Sequence, residues 1–302
     1  MAQEYSNPIL SFFSRFSIKS IVILALLLFI GFGVVWWRVV YANPERVFSG
    51  MLENSLRLNG VTRRVIQSGS GQYLDQVSWL NTYGTHMAAS RTTLEQGDNT
   101  VNTESIGTPT GDFVRYTSIN TTQTNASGEP LDFSSILGKW GDNNSTQDGA
   151  MTNGELYNES SLGIIPFGYL DAGQRARLLD MIRQNGIYEV DYQTVKRELQ
   201  HGRPRYTYTV KVDAAKYVAF LKEFAKLSGM NHLESLDPEA YAGSEKLSFQ
   251  LIVDVWSRQL TKTIYSNARV EEFSAHNVIR STAVPTDTIT IDELQTRLQD
   301  LQ

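Results

Sequence analysis

Residue types that do chemistry are sparse in this chain and poorly spaced for it. The four histidines, His86, His201, His232 and His276, form no His-Glu-x-x-His pair, whereas a helical zinc site needs two imidazoles one turn apart. No Gly-x-Ser-x-Gly elbow, phosphate-binding glycine loop or dinucleotide fingerprint occurs, so common nucleophilic and nucleotide-dependent reactions lack their usual scaffolds. There is no cysteine. That removes disulfides, thiolate ligands, thiol nucleophiles and a lipidated cysteine. Carboxylates are scattered rather than offered as an acid–base pair. The run Gly141–Gly149 (GDNNSTQDG) suggests calcium, but its glycine is misplaced for an EF-hand loop and the closing Glu is missing. It reads as a solvated turn. No catalysis, cofactor or metal is expected.

What remains is recognition through apolar surface. Tyr206, Tyr208, Val210 and Val212 alternate with Arg205, Thr207, Thr209 and Lys211, and Leu247, Phe249, Leu251 and Val253 alternate with Ser248, Gln250 and Asp254. Such alternation puts the apolar set on one strand face. Tyr206, Tyr208, Phe249, Leu251 and Val253 are therefore candidates for the wall of an apolar cavity; a filled core has the same pattern, and alternation permits both. Trp79, in another strand segment, joins them as a candidate. Phe133 and Trp140 are candidates for a mouth. Asp132 as N-cap, followed by Phe133, Ile136, Leu137 and Trp140, predicts a one-stripe helix inside the polar insertion 120–163. That insertion reads either as a flap over an apolar opening or as a segment packed on a sheet edge.

These residues must be positioned by larger elements, and the firmest is Ser20–Tyr41. Ser20–Trp37 carries no charge, and at about 1.5 Å per residue such a run nearly crosses a hydrocarbon core of roughly 30 Å. With no water to satisfy the backbone, it must be helical. Trp36, Trp37 and Tyr41 suit the headgroup layer, where Arg38 can snorkel. The run exceeds the apolar core of a cleaved signal peptide, so it reads as an anchor spanning 20–41. Residues 1–19 form a short cytoplasmic tail, and 43–302 an extracytoplasmic domain. Basic residues flank the run on both sides and do not fix orientation; the Asn/Ser/Thr-rich surface of the remainder favours export.

Asn43-Pro44-Glu45 starts a helix, with Val47, Phe48, Met51, Leu52, Ser55 and Leu58 on one side and Asn59-Gly60 as its stop. Turn clusters at Gly69-Ser70-Gly71, Gly97-Asp98-Asn99 and Pro109-Thr110-Gly111 space the next segment as an antiparallel meander. Further helices are expected from Asp171 to Gly186, from Asp213 to Gly229 and from Thr290 onward, the last opened by a Thr-x-x-Glu capping box. The chain holds 27 Lys+Arg against 32 Asp+Glu; with Arg15, Lys19, Arg38 and Glu4 set aside, the part from Ala42 onward has 24 basic and 31 acidic residues, a net charge of −7. An acidic domain without a basic stripe argues against nucleic acid.

The element order, with Asp254-Val255-Trp256, Leu260, Pro285 and Asp292-Glu293-Leu294, resembles the LolA/LolB and LppX/LprG group of bacterial lipoprotein and lipid carriers. That resemblance implies an α+β fold: a curved antiparallel sheet, a half-barrel, covered on one side by helices with an apolar cavity between. It implies a lipid or other apolar ligand as partner beside the bilayer. The same fold also serves envelope sensing, so a module that binds an envelope protein through its cleft or sheet edge is the alternative. Those carriers are free or lipid-tethered, whereas this chain has a membrane helix. A fixed station fits it better than a shuttle.

Overall fold

The computed structural model describes residues 18–84, 86–109, 111–125, 127–143, 155–230 and 233–301. The expected tail (1–17), the Arg38 side chain, residues 144–149 of the acidic run and His232 lie outside the described residues. The chain divides into two compact units, Met1–Val47 and Phe48–Gln302. In the first, the uncharged run forms α1 (Ile18–Trp36), continued by a π-helical turn over Trp37–Tyr41. The Ala42 amide donates five residues back, to the Trp37 carbonyl, at 2.8 Å, and the Tyr41 ring stacks on Trp37 with centroids 4.5 Å apart. All the large apolar side chains from Val22 to Trp37 are exposed. Among the described residues this one helix is long and apolar enough to cross a membrane, which is compatible with a single-pass anchor.

The fold is α+β, with an open sheet of thirteen strands and six α-helices among the described residues. Helix α2 (Pro44–Ser55) starts as expected: the Asn43 side chain accepts the Glu45 and Arg46 amides at 3.0 and 3.3 Å. It ends three residues earlier than its apolar spacing, which runs to Leu58, suggests. The Leu58 amide donates to the Gly168 carbonyl and the Leu56 carbonyl accepts from Leu170, so pairing with a distant segment outcompetes another helical turn.

Five strands of ten residues then form the meander: β1 (Gly60–Gly69), β2 (Gln72–Asn81), β3 (Met87–Gln96), β4 (Asn99–Thr108) and β5 (Gly111–Asn120). The β1–β2 turn places Ser70 and Gly71 at φ +53° and +77°, the left-handed pair that matches strand twist in a two-residue hairpin. Next come β6 (Trp140–Asp142), α3 (Glu155–Ser161), α4 (Ala172–Asn185), β7 (Tyr188–Val190), β8 (Lys196–Gln200) and β9 (Arg203–Val212). The chain closes with α5 (Ala214–Leu227), β10 (Leu247–Asp254), β11 (Gln259–Tyr265), β12 (Arg269–Ser274), β13 (Thr288–Thr290) and α6 (Ile291–Gln299). Asp171 forms a reciprocal capping box with Gln174 on α4, and Gly186 ends that helix in the left-handed region.

The strands pair in the order β13-β6-β5-β4-β3-β2-β1-β12-β11-β10-β9-β7, with β8 also on β9. An all-antiparallel sheet is therefore not what forms: β13 runs parallel to β6 over Thr288–Thr290 and Trp140–Asp142, making the sheet mixed. The long connection between these two strands permits a parallel return that no hairpin could make.

Directly paired residues share a face, so register defines two faces across the whole sheet. One carries Val65, Leu80, Leu94, Val101, Leu251 and Tyr208; the other carries Trp79, Ala89 and Ile106. Asp254 ends β10 as the organiser of its turn. It is 3% exposed, accepts from the Trp256 and Ser257 amides at 3.1 and 2.8 Å, and pairs with Arg203 Nε at 2.7 Å. Burial pushes its carboxyl up, but the Ser257 and Arg203 donors outweigh that and hold it below the ordinary carboxylate value.

Candidate functional site

On the Val65 face, the hairpin ends of β2–β5 line up a cross-strand row: Leu74 opposite Leu94, Leu94 opposite Val101, Val101 opposite Ile119. A register shift between Asn102 and Thr103 inserts one extra residue in β5. Tyr116 and Ile119, three apart, thereby point to the same side, as a bulge allows. This row floors a trough of about 500 Å³, bordered by Leu131, Phe133 and, from the last turn of α6, Leu298. Such a volume is ordinary for a small-molecule site.

The trough stays open for a reason of length. Ten-residue strands run about 33 Å, while the seven residues of α3 span about 10 Å. Helix α3 sits at the other end of the meander: the space where a Cβ on Gly107 would stand lies 2.8 Å from Leu156 Cβ and from the Tyr157 amide. The Leu74–Ile119 end lies beyond its reach.

The border is built by local hydrogen bonds. Thr121 Oγ1 donates to Asn99 Oδ1 at 2.7 Å, which ties the segment after β5 to the β3–β4 turn. The expected helix over Phe133–Trp140 does not form. The Phe133 carbonyl accepts the Ile136 and Leu137 amides at 3.0 and 3.1 Å, a single turn, and the Gly138 amide then donates to the Tyr116 carbonyl at 2.9 Å. Gly138 adopts φ +77°, so the chain leaves the turn there and enters β6 at Trp140. The Asp132 side chain still accepts the Ser134 amide at 2.9 Å, and these bonds hold its carboxyl below the ordinary value. Thr290 Oγ1 caps α6 by accepting the Glu293 amide at 3.1 Å. Gly141 lets that helix close on β6, since a Cβ there would meet Leu294 Cδ2 at 2.8 Å.

Of the eight residues expected at a ligand, Phe133 lies on the trough. Tyr206, Tyr208, Phe249, Leu251 and Val253 share the sheet face but sit at its far end, 0–5% exposed. Their rings are engaged: Tyr208 with Phe48 at 5.4 Å, Tyr206 with Tyr208 at 6.2 Å, Phe249 with Tyr265 at 6.3 Å. None lines the trough. Trp79 and Trp140 lie on the opposite face, packed against Met87, Ala89, Ile106 and Phe113. There Arg91 and Arg280 stand over Trp79 and Arg115 over Trp140. Glu104 takes hydrogen bonds from Arg115 and Arg91, which lower its carboxyl.

Sequence reasoning passed over Leu74, Leu94, Val101, Tyr116, Ile119, Leu131 and Leu298. The available signal was the pair of turns at Ser70-Gly71 and Gly97-Asp98, which fix the register that aligns Leu74, Leu94 and Val101.

His86 Nδ1 lies 3.0 Å from the Tyr157 hydroxyl, His201 sits in the β8–β9 turn, and His276 Nε2 lies 2.9 Å from the Leu260 carbonyl, its imidazole pulled below the ordinary value by burial. Among the described residues no group of three or more His, Asp or Glu side chains could hold a metal ion. No protein-family model matches this sequence, and no curated protein matches it either.

Proposed function

We propose that this is a membrane-tethered domain that binds a lipid or another apolar molecule in the trough on the Val65 face. The observation that carries this reading is the space itself: about 500 Å³, with aliphatic and aromatic side chains at eight of its fifteen lining positions and Thr, Asn and Gln at the rest. Leu74, Val101, Tyr116 and Ile119 stay half-buried there, although Val65, Leu80, Tyr208 and Leu251 on the same face are buried. An acyl chain entering would gain about 0.8 kcal/mol per methylene removed from water. In this reading α1 is the anchor, with its N-terminus cytoplasmic and the second unit outside the membrane. The sheet curls as a half-barrel with helices on the Val65 face. The ring contacts of Phe48 with Tyr208, and of Tyr217 with Tyr188 at 6.3 Å, support that cover. The resemblance of the sequence's element order to that of bacterial lipid carriers is consistent with this reading.

The test is native mass spectrometry of the full chain released from nanodiscs. The wild-type chain is expected to retain one lipid more than Val101→Trp, whose indole fills the trough. Equal lipid counts in the two proteins would overturn the reading.

A further inference from the structure

Three cavities adjoin along the Val65 face, and they differ in the groups they hold. The apolar trough shares Leu74 and Leu94 with a neighbour of about 350 Å³ whose other walls include Gln67, Ser68, Gln72 and Asn267. Asn267 in turn borders a third space of about 410 Å³, where Arg63, Arg269, Glu271 and Glu159 stand beside Leu162, Ile164, Tyr217 and Tyr265. Across β5 to β1 and β12 a mainly apolar space thus gives way to one that holds a cluster of charged groups. From β5 to β1 is about 19 Å at ordinary strand spacing. Half of a ~30 Å hydrocarbon core, which is what one leaflet's chains fill, is about 15 Å.

The charged end is incompletely satisfied. Arg63 Nη2 and Arg269 Nε both donate to one oxygen of Glu271, Oε1, at 2.7 and 3.0 Å. Arg63 Nη1 donates to the Glu159 carbonyl at 2.8 Å. Arg63 and Glu271 are 5% and 1% exposed, yet Arg63 Nε and Glu271 Oε2 make no close hydrogen bond. The Tyr265 hydroxyl is the group nearest to supplying one, and burial together with the Glu271 carboxylate raises its ionisation above the ordinary value. A buried donor and a buried acceptor left open are costly. Arg63, Arg269, Glu271 and Glu159 together carry no net charge, with a Glu159 carboxylate oxygen 3.9 Å from Arg269 Nη2, so the cluster suits a guest that carries both an anionic and a donating group. A guest that completes this cluster brings an anionic oxygen for the guanidinium groups and an N–H or O–H for Glu271 Oε2.

Resting on the trough reading above, we propose that the guest is an amphiphile, a phospholipid whose head bears an amine or hydroxyl. Its acyl chain lies in the trough and its head sits at Arg63, Arg269 and Glu271. A choline head offers the phosphate but no donor. A fatty alcohol offers no anion.

The experiment uses the full chain in phosphatidylcholine nanodiscs and three probes carrying a photoreactive group on chains of equal length: lysophosphatidylethanolamine, lysophosphatidylcholine and a fatty alcohol. The ethanolamine lipid is expected to label residues 92–103 and 116–133 about tenfold more efficiently than the choline lipid, a difference of about 1.4 kcal/mol. Arg269→Gln, at a partly exposed position, is expected to lower labelling by both lysolipids severalfold while labelling by the alcohol is unchanged. Equal labelling of the wild-type chain by both lysolipids, or lysolipid labelling that Arg269→Gln leaves unchanged, would overturn the head assignment and leave the trough reading standing. Excess glycerophosphoethanolamine without a chain is expected to leave the label intact; competition by it would place the affinity in the head alone and overturn the amphiphile. Absence of trough labelling by all three probes would remove the trough reading itself, and this inference with it.

Discussion

At the β9–β11 end of the sheet Tyr208, Leu251 and Val253 have no exposed surface, while at the β2–β5 end Leu94 keeps 38% of its surface on the same face. Both ends obey the same alternation and the same pairing rules. What differs is the neighbour. At the first end Phe48 meets Tyr208 of β9, and Phe249 of β10 meets Tyr265 of β11, whereas the second projects past a seven-residue helix. Period-two patterning assigns side chains to a face; the length of the covering elements decides whether that face is filled.

Substitutions in the two regions sharpen this contrast, because stability should respond at one end and occupancy at the other. Leu251→Ala is expected to cost about 2–5 kcal/mol in urea unfolding, since a fully packed leucine leaves a cavity that relaxes poorly. Next in size is Asp254→Asn, which weakens charge-assisted bonds within a nearly buried turn by about 1.5–3 kcal/mol at neutral pH. The folded carboxyl of Asp254 is depressed, so its contribution is complete above the unfolded value near 3.9 and is lost as pH falls through the lower folded value. The Asn variant is therefore expected to show a flatter acid limb below about pH 4 in a stability–pH series.

Gly107→Ala is expected to cost about 1–3 kcal/mol, because its Cβ would meet Asp112, Leu156 and Tyr157 atoms at 2.7–2.8 Å. Smallest is Leu94→Ala, below about 1 kcal/mol because so much of the side chain is already exposed. A Leu94→Ala cost equal to that of Leu251→Ala would erase the distinction between the two ends.

Much of the fold was legible because it is written in local signals. The Asn43 and Asp171 caps, the glycine turns of the meander and the β9 and β10 alternation name their elements within a few residues. The site was legible at Phe133 alone. Leu74, Leu94 and Val101 stand among polar neighbours and become a row only through hairpin register, and Tyr116 joins Ile119 only through a bulge. Trp140 fits a helical spacing, but Gly138 breaks that turn and strand pairing takes the residue to the opposite face. Parallel pairing of β13 with β6 is non-local and leaves no local signature. Whether Tyr208 walls a cavity or fills a core depends on Phe48, 160 positions away in the chain.

Occupancy of the trough is tested most directly by anomalous diffraction from crystals of the full chain grown with a phospholipid brominated along its acyl chain. Bromine peaks are expected between Val101, Ile119 and Phe133. Peaks confined to the surroundings of α1, with none over the β2–β5 row, would contradict lipid binding by this domain.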